Sequence, residues 1–327
     1  MSTADADADA NANANANANA DTRMPAELLD EANACHDADV PLGAALLRRI
    51  DAAALPADKL PSYAFLLNHV LGEKLGAWPE ALQRQQQLLT LPSPLAVLWR
   101  QAGAAAVAAG DAASLQRAVA AYAVATAVPA AQARDVVVLS AAKYQGPASG
   151  AADAARLTLT AIAPFSAAAW NEPCAIDAAA AAVFNGIAGD LQDRPLADLR
   201  VPDLRAALQG SAELAYRFWL RAGTWVNAER ALYLRAMVGN ALGDAAAART
   251  HAQAALALLD ANDTDPAEDV DRAFVELERA HACRALGLIE EATAATAQAN
   301  TLAAAFGDAG LTAGFDSRRA RLTLLPA

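Results

Sequence analysis

Apolar and small residues recur every three or four positions along most of the chain, and glycine or proline breaks the rhythm at fairly even intervals. Residues 96–129 show it best. Trp99, Gly103 and Ala106 fall on one face of a first helix, and Leu115, Val119, Tyr122 and Ala123 on one face of a second, with Gly110-Asp111 as the turn between them. The same arrangement lies 34 residues earlier around Gly76, where Ala81, Gln85 and Leu88 are spaced like Leu115, Val119 and Tyr122. One helical hairpin per period of this size predicts an α-solenoid, in which each hairpin packs against its neighbours. The spacing predicts helices near 24–37, 41–55, 58–76, 78–91, 94–109, 111–127, 129–145 and 149–163. It predicts further helices near 174–188, 203–222, 224–242, 244–260, 266–286, 288–306 and 308–324.

Four regions follow from this pattern. Residues 1–22 alternate Asp-Ala and then Asn-Ala; they have nothing large to bury and are expected to be a disordered, low-complexity tail. Residues 23–164 form a first helical array. Residues 165–202 carry Pro173, Pro195 and Pro202 around one helix and read as an irregular connection, the place for a boundary between two sub-arrays or for a pocket. Residues 203–327 form a second array, in which Asp265-Pro266-Ala267-Glu268 has the pattern of a capped helix start.

The copies resemble the tetratricopeptide repeat. Trp99, Gly103, Gly110 and Pro129 match its large, small, glycine and proline places, although Tyr122 stands where a small residue belongs. Leu232, Ala236, Gly243, Ala248, Ala252 and Ala255 match well. Phe65, His69, Gly76, Ala81 and Leu88 match more loosely, as do Ala280, Gly287, Ala292 and Ala299. Residues 136–164 are a degenerate copy with Leu139, Ala155, Leu159 and Ile162, so the resemblance covers about half the chain. It implies a concave groove lined by the first helix of each hairpin, where a peptide or helix of another protein lies. Carried over position by position, the groove residues are Tyr63, Leu66, Lys74, Arg100, Val107, Ser140 and Tyr144, then Arg230, Tyr233, Asn240, Phe274, Leu277, His281 and Arg284. Val70 and Ala104 stand where the family's carboxylate clamp has Asn, which argues against binding of chaperone tails. Arg100, Arg230, His281 and Arg284 in this set predict a neutral-to-positive groove suited to an acidic or carboxylate-bearing partner.

Composition narrows the alternatives. Hydrophobic residues make up 55% of the 327 but aromatics only 5%, with alanine the commonest, so helices packed through small side chains are favoured over strands. The net charge of -12 without a basic stripe argues against nucleic acid. Cys35, Cys174 and Cys283 are odd in number and far apart, which fits a reducing compartment rather than a disulfide framework. The longest uncharged run, 118–133, is too short to span a bilayer, and a cytoplasmic location is expected.

No chemistry stands out. Cys35-His36 are neighbours that point apart on a helix, and His251 and His281 lack a third ligand. The acids from Asp260 to Asp271 lack the central glycine and closing glutamate of a calcium loop. Neither a nucleophile elbow nor a phosphate loop is present, so no catalytic residue, cofactor or metal is assigned. The sequence therefore reads as a non-catalytic scaffold for protein–protein interaction. The alternatives are a regulatory or sensor domain acting on a separate effector, and an all-α enzyme with its site in the 165–202 connection.

Overall fold

The computed structural model describes residues 23–262 and 268–325. The expected tail over 1–22 and the helix start at Asp265-Pro266 lie outside the described residues. Among those described there are fifteen α-helices and no strand. They are α1 (Pro25–Cys35), α2 (Val40–Arg49), α3 (Leu60–Leu66), α4 (Trp78–Leu88), α5 (Ala96–Ala109), α6 (Ala112–Thr126), α7 (Ala130–Gln145) and α8 (Ala151–Ile162). Then come α9 (Asp177–Gln192), α10 (Pro202–Ala222), α11 (Trp225–Leu242), α12 (Ala245–Asn262), α13 (Glu268–Ala285), α14 (Ile289–Ala303) and α15 (Ala309–Leu322). None of these is long and apolar enough to cross a membrane.

Local chemistry explains the boundaries. The Asp39, Asp111 and Asp308 side chains each accept a backbone N–H from the first turn of α2, α6 and α15, which satisfies a donor the helix cannot pair itself. Gly110 and Gly243 end α5 and α11 in the left-handed region, at φ 73° and 76°, where a side chain would be strained. Expected and observed helices agree within a few residues, with two differences. Helix α2 stops at Arg49 rather than near Leu55, because Asp51 caps a short 3₁₀ turn, Ala52–Ala54, instead. Helix α3 continues as a π-helix over Leu67–Lys74, a winding that a three-to-four residue periodicity does not distinguish from α.

Consecutive helices pair as antiparallel hairpins, and the first helices of successive hairpins stand side by side. From α3 with its π continuation, the row runs through α5, α7, α9, α11 and α13, with the second helices stacked outside it. This is a solenoid-like all-α fold. Small residues set the spacing: a Cβ on Gly103 would come within 2.7 Å of Val137 Cγ1 on α7.

Helix α9, within the expected break, is a regular member of the inner row. Phe165 and Trp170, on the turns before it, pack with Phe184 and Phe218 at ring-centroid distances of 4.5–5.8 Å. Trp170 donates its indole N–H to Asp135 at 3.1 Å, and Asp177 ties the turn to α10 through Arg221 at 3.1 Å. One hydrophobic core runs from Val119 to Ala241 through this region. The prolines reroute the loops, and the packing continues beneath them.

Candidate functional site

Two features of the inner row are candidates for a site. The first is a helix seated upon it. Helix α15 turns back across the row, placing Phe315 and Leu322 in a cluster with Leu277 of α13 and Leu196 just after α9. Its Arg318 is buried. The guanidinium donates to Glu278 of α13 at 2.9 Å and to Gln192 of α9 at 2.9 Å. Those helices are not neighbours in the row, since α11 stands between them, so the guanidinium bridges side chains from either side of α11. Asn240 of α11 donates to the same Glu278 at 2.7 Å. Burial of Arg318 opposes its charge, yet contact with Glu278 holds its pKa above the ordinary value.

The second feature is an open basin of about 510 Å³ at the ends of the π-helix, α7 and α9. Asp37, His69, Glu73, Lys74, Asp190, Asp193, Arg194 and Asp198 line it. Five carboxylates face two cations, and both cations are engaged. Lys74 Nζ lies 3.2 Å from Asp37, and Arg194 pairs with Asp198 at 3.0 Å while also donating to the Ser149 carbonyl. Desolvation pushes the Asp190 pKa up to about 6, against the pull of Lys143 at 3.8 Å. A larger cavity of about 870 Å³ lies on the outer side between α4 and α6. It is mostly apolar, and its polar groups Gln86, Ser114 and Arg117 bond to one another, so the basin is the richer site chemically.

Several expected groove residues lie elsewhere. Tyr63 is buried and donates to the Leu47 carbonyl at 3.2 Å. Tyr144 is buried too; it donates to Gln101 at 2.9 Å, and desolvation pushes its pKa up to about 12. Asn240 and His281 are buried, and Tyr233 is packed against Phe274 with its pKa raised by burial. Tyr144, Asn240 and Tyr233 face a neighbouring helix of the row, whereas Tyr63 faces α2; the polar positions of an inner helix are also its seams with its neighbours. Ser140 is likewise buried and receives a hydrogen bond from Arg100 at 3.1 Å.

Lys74, Arg230 and Arg284 are exposed as expected. Arg230, however, pairs at 2.7 Å with Asp271 in the first turn of α13, while Arg284 lies in that helix's last turn. The thirteen helical steps from Asp271 to Arg284 separate the two arginines by about 20 Å along the axis, so they do not converge on one ligand. With Lys74 and Arg194 paired and carboxylates in excess, the basin is acidic; of the expected groove residues only Lys74 lines it. The residues missed from sequence, Asp190 and Asp193, belong to the supposed break; their link to His69 and Glu73 appears only once α9 is placed in the inner row. No family model and no curated protein matches this chain.

Proposed function

We propose that the protein is a non-catalytic interaction scaffold of tetratricopeptide-like build, holding a peptide or helix of another protein against its inner face. The carrying observation is the seating of α15. A helix that projects an arginine between apolar residues lies on the inner row, with the guanidinium held by Glu278 and Gln192. That is the recognition mode of a helix in a groove, met within the chain itself. The open basin next along the row offers carboxylates in the same manner, so the favoured partner segment is basic rather than acidic. Three free cysteines agree with a cytoplasmic setting.

The test immobilises the full chain and compares partner capture with that by a variant carrying Asp190→Asn and Asp193→Lys. Both positions line the basin. The expected result is a protein retained by the wild type at moderate salt and released by the variant, with melting temperature undiminished. Capture of the same protein equally by both, or recovery of an acidic partner segment, overturns the reading.

A further inference from the structure

At one edge of the basin, His36 from the end of α1, Asp37 from the following turn and His69 from the π-helix come together. Their ligand-type atoms all lie within 4.8 Å of one another. His36 Nε2 is 3.4 Å from Asp37 Oδ2, and His69 Nε2 is 3.6 Å from Asp37 Oδ1. Two imidazole nitrogens and a carboxylate around a tetrahedral zinc ion, each about 2.0–2.2 Å from it, stand roughly 3.3–3.6 Å apart. The two nitrogen–carboxylate edges, one to each oxygen of Asp37, already have that length, and the edge between the histidines is no longer than 4.8 Å.

The far side of each imidazole is arranged to match. His36 Nδ1 lies 2.7 Å from the Asn33 carbonyl, and His69 Nδ1 lies 2.8 Å from Glu73 Oε2. Both partners accept, so in the neutral tautomer with its proton on Nδ1 each ring presents the Nε2 lone pair toward Asp37, where a cation would sit. Outer carbonyl and carboxylate groups orient metal-bound histidines in the same way. The rings are also fixed by packing. His69 stacks on Phe65 at 5.3 Å, and His36 meets His69 edge-on at 5.2 Å. Gly43 lets α2 approach the His36 backbone, where a Cβ would sit 3.3 Å from the His36 Cα. Asp37 itself is exposed and opens onto the basin, leaving a side from which an ion and a water molecule can enter.

The geometry points to a three-ligand site for a divalent transition-metal ion, zinc in the first instance, formed by His36, Asp37 and His69 with Glu73 as the orienting carboxylate and water in the fourth position. Lys74 competes for it. Its ammonium lies 3.2 Å from the Asp37 oxygen that faces His69, on a flexible and partly exposed side chain that swings away when a stronger cation arrives. The site joins the first hairpin to the second, so binding clamps α1 to the inner row.

Equilibrium dialysis of the chelator-treated full chain against Zn²⁺ is the test, with Co²⁺ as a spectroscopic reporter of coordination. One equivalent of zinc per chain is expected, with a rise in melting temperature and the strong visible bands of four-coordinate cobalt. Asp37→Asn, on an exposed side chain, abolishes stoichiometric binding. Glu73→Gln weakens it by roughly 10–100-fold, and Lys74→Gln tightens it by removing the competing cation. The tightening separates a metal site from a merely structural salt bridge, whose loss has no reason to improve zinc affinity. Absence of stoichiometric zinc in both the wild type and Lys74→Gln overturns the inference, as does binding unchanged by Asp37→Asn, or six-coordinate cobalt.

Discussion

Single side chains set how closely the helices approach. Gly103 has no room for even a methyl group against Val137, so Gly103→Leu overpacks the seam between α5 and α7. A loss of about 1–3 kcal/mol is expected by urea unfolding; a neutral result would mean that the two helices are not held at this distance. Asp190 makes a different claim. Its carboxyl titrates near 6 in the folded chain against an ordinary 3.8. The folded state therefore holds the proton more tightly than the unfolded state between those values. Stability from this group is fully present below about pH 4 and is lost as the pH rises through 6. Asp190→Asn should leave the melting temperature near the wild-type value at pH 4 and raise it at pH 7. A parallel pH profile for both proteins would show that the burial is not felt. At this scale the sequence was informative about small residues and less so about polar ones. Gly103 and Ala236 announced close packing by their place in the period, whereas Tyr63, Tyr144 and Asn240 looked like surface groups because a buried polar residue is recognisable only through its partner. One signal was available: Asn68 bonds Gln101 33 residues on, and His36 and His69 are also 33 apart. Residues about one repeat apart on first helices stack on each other, so polar pairs at that interval are candidates for contact.

Among the elements, α15 is the one whose role exceeds its predicted presence. Its placement was legible from the amphipathic pattern, but its docking was not, since no local rule says which distant face a terminal repeat will cover. Arg318 and Glu278 are both buried, and taking either away leaves the other as an unpaired charge away from water. Arg318→Ala should therefore cost about 3–5 kcal/mol, read as a shift in the urea midpoint, whereas Arg318→Met combined with Glu278→Leu should recover most of that loss. If the single and double variants are equally unstable, the pair contributes through shape and not through charge. The π-helix shows the opposite limit. Its residues were assigned to a helix correctly, yet its winding, which carries His69 and Glu73 into contact, is not written in the periodicity; Trp78 packs so closely on Gly72 that a Cβ there would collide with the ring.

For the whole molecule, the continuity of the inner row matters more than the count of its hairpins. Punctuation by glycine and proline revealed every helix, including α9, but the same prolines argued for a division there. The apolar residues Phe165, Trp170, Phe184 and Phe218 decide otherwise, because four rings in mutual contact draw both flanks into one core. Calorimetry should accordingly show α6 to α11 melting together. Trp170→Ala, worth about 3–5 kcal/mol by large-to-small precedent, should move that entire transition and not split it. Two resolved transitions, with the substitution affecting one, would restore the idea of separate arrays.

An array of stacked hairpins behaves mechanically as a spring, each repeat flexing only against its neighbours. The guanidinium of Arg318 ties α13 to α9 across α11, fixing the curvature of that stretch as a brace fixes a bow. Bending compliance is thereby left to the hairpins before α9, which carry the histidine pair and the His69–Lys74 wall of the basin. On the proposed scaffold reading, a wrapped partner would be met by the unbraced portion, while the braced portion would keep its pitch as the anchor.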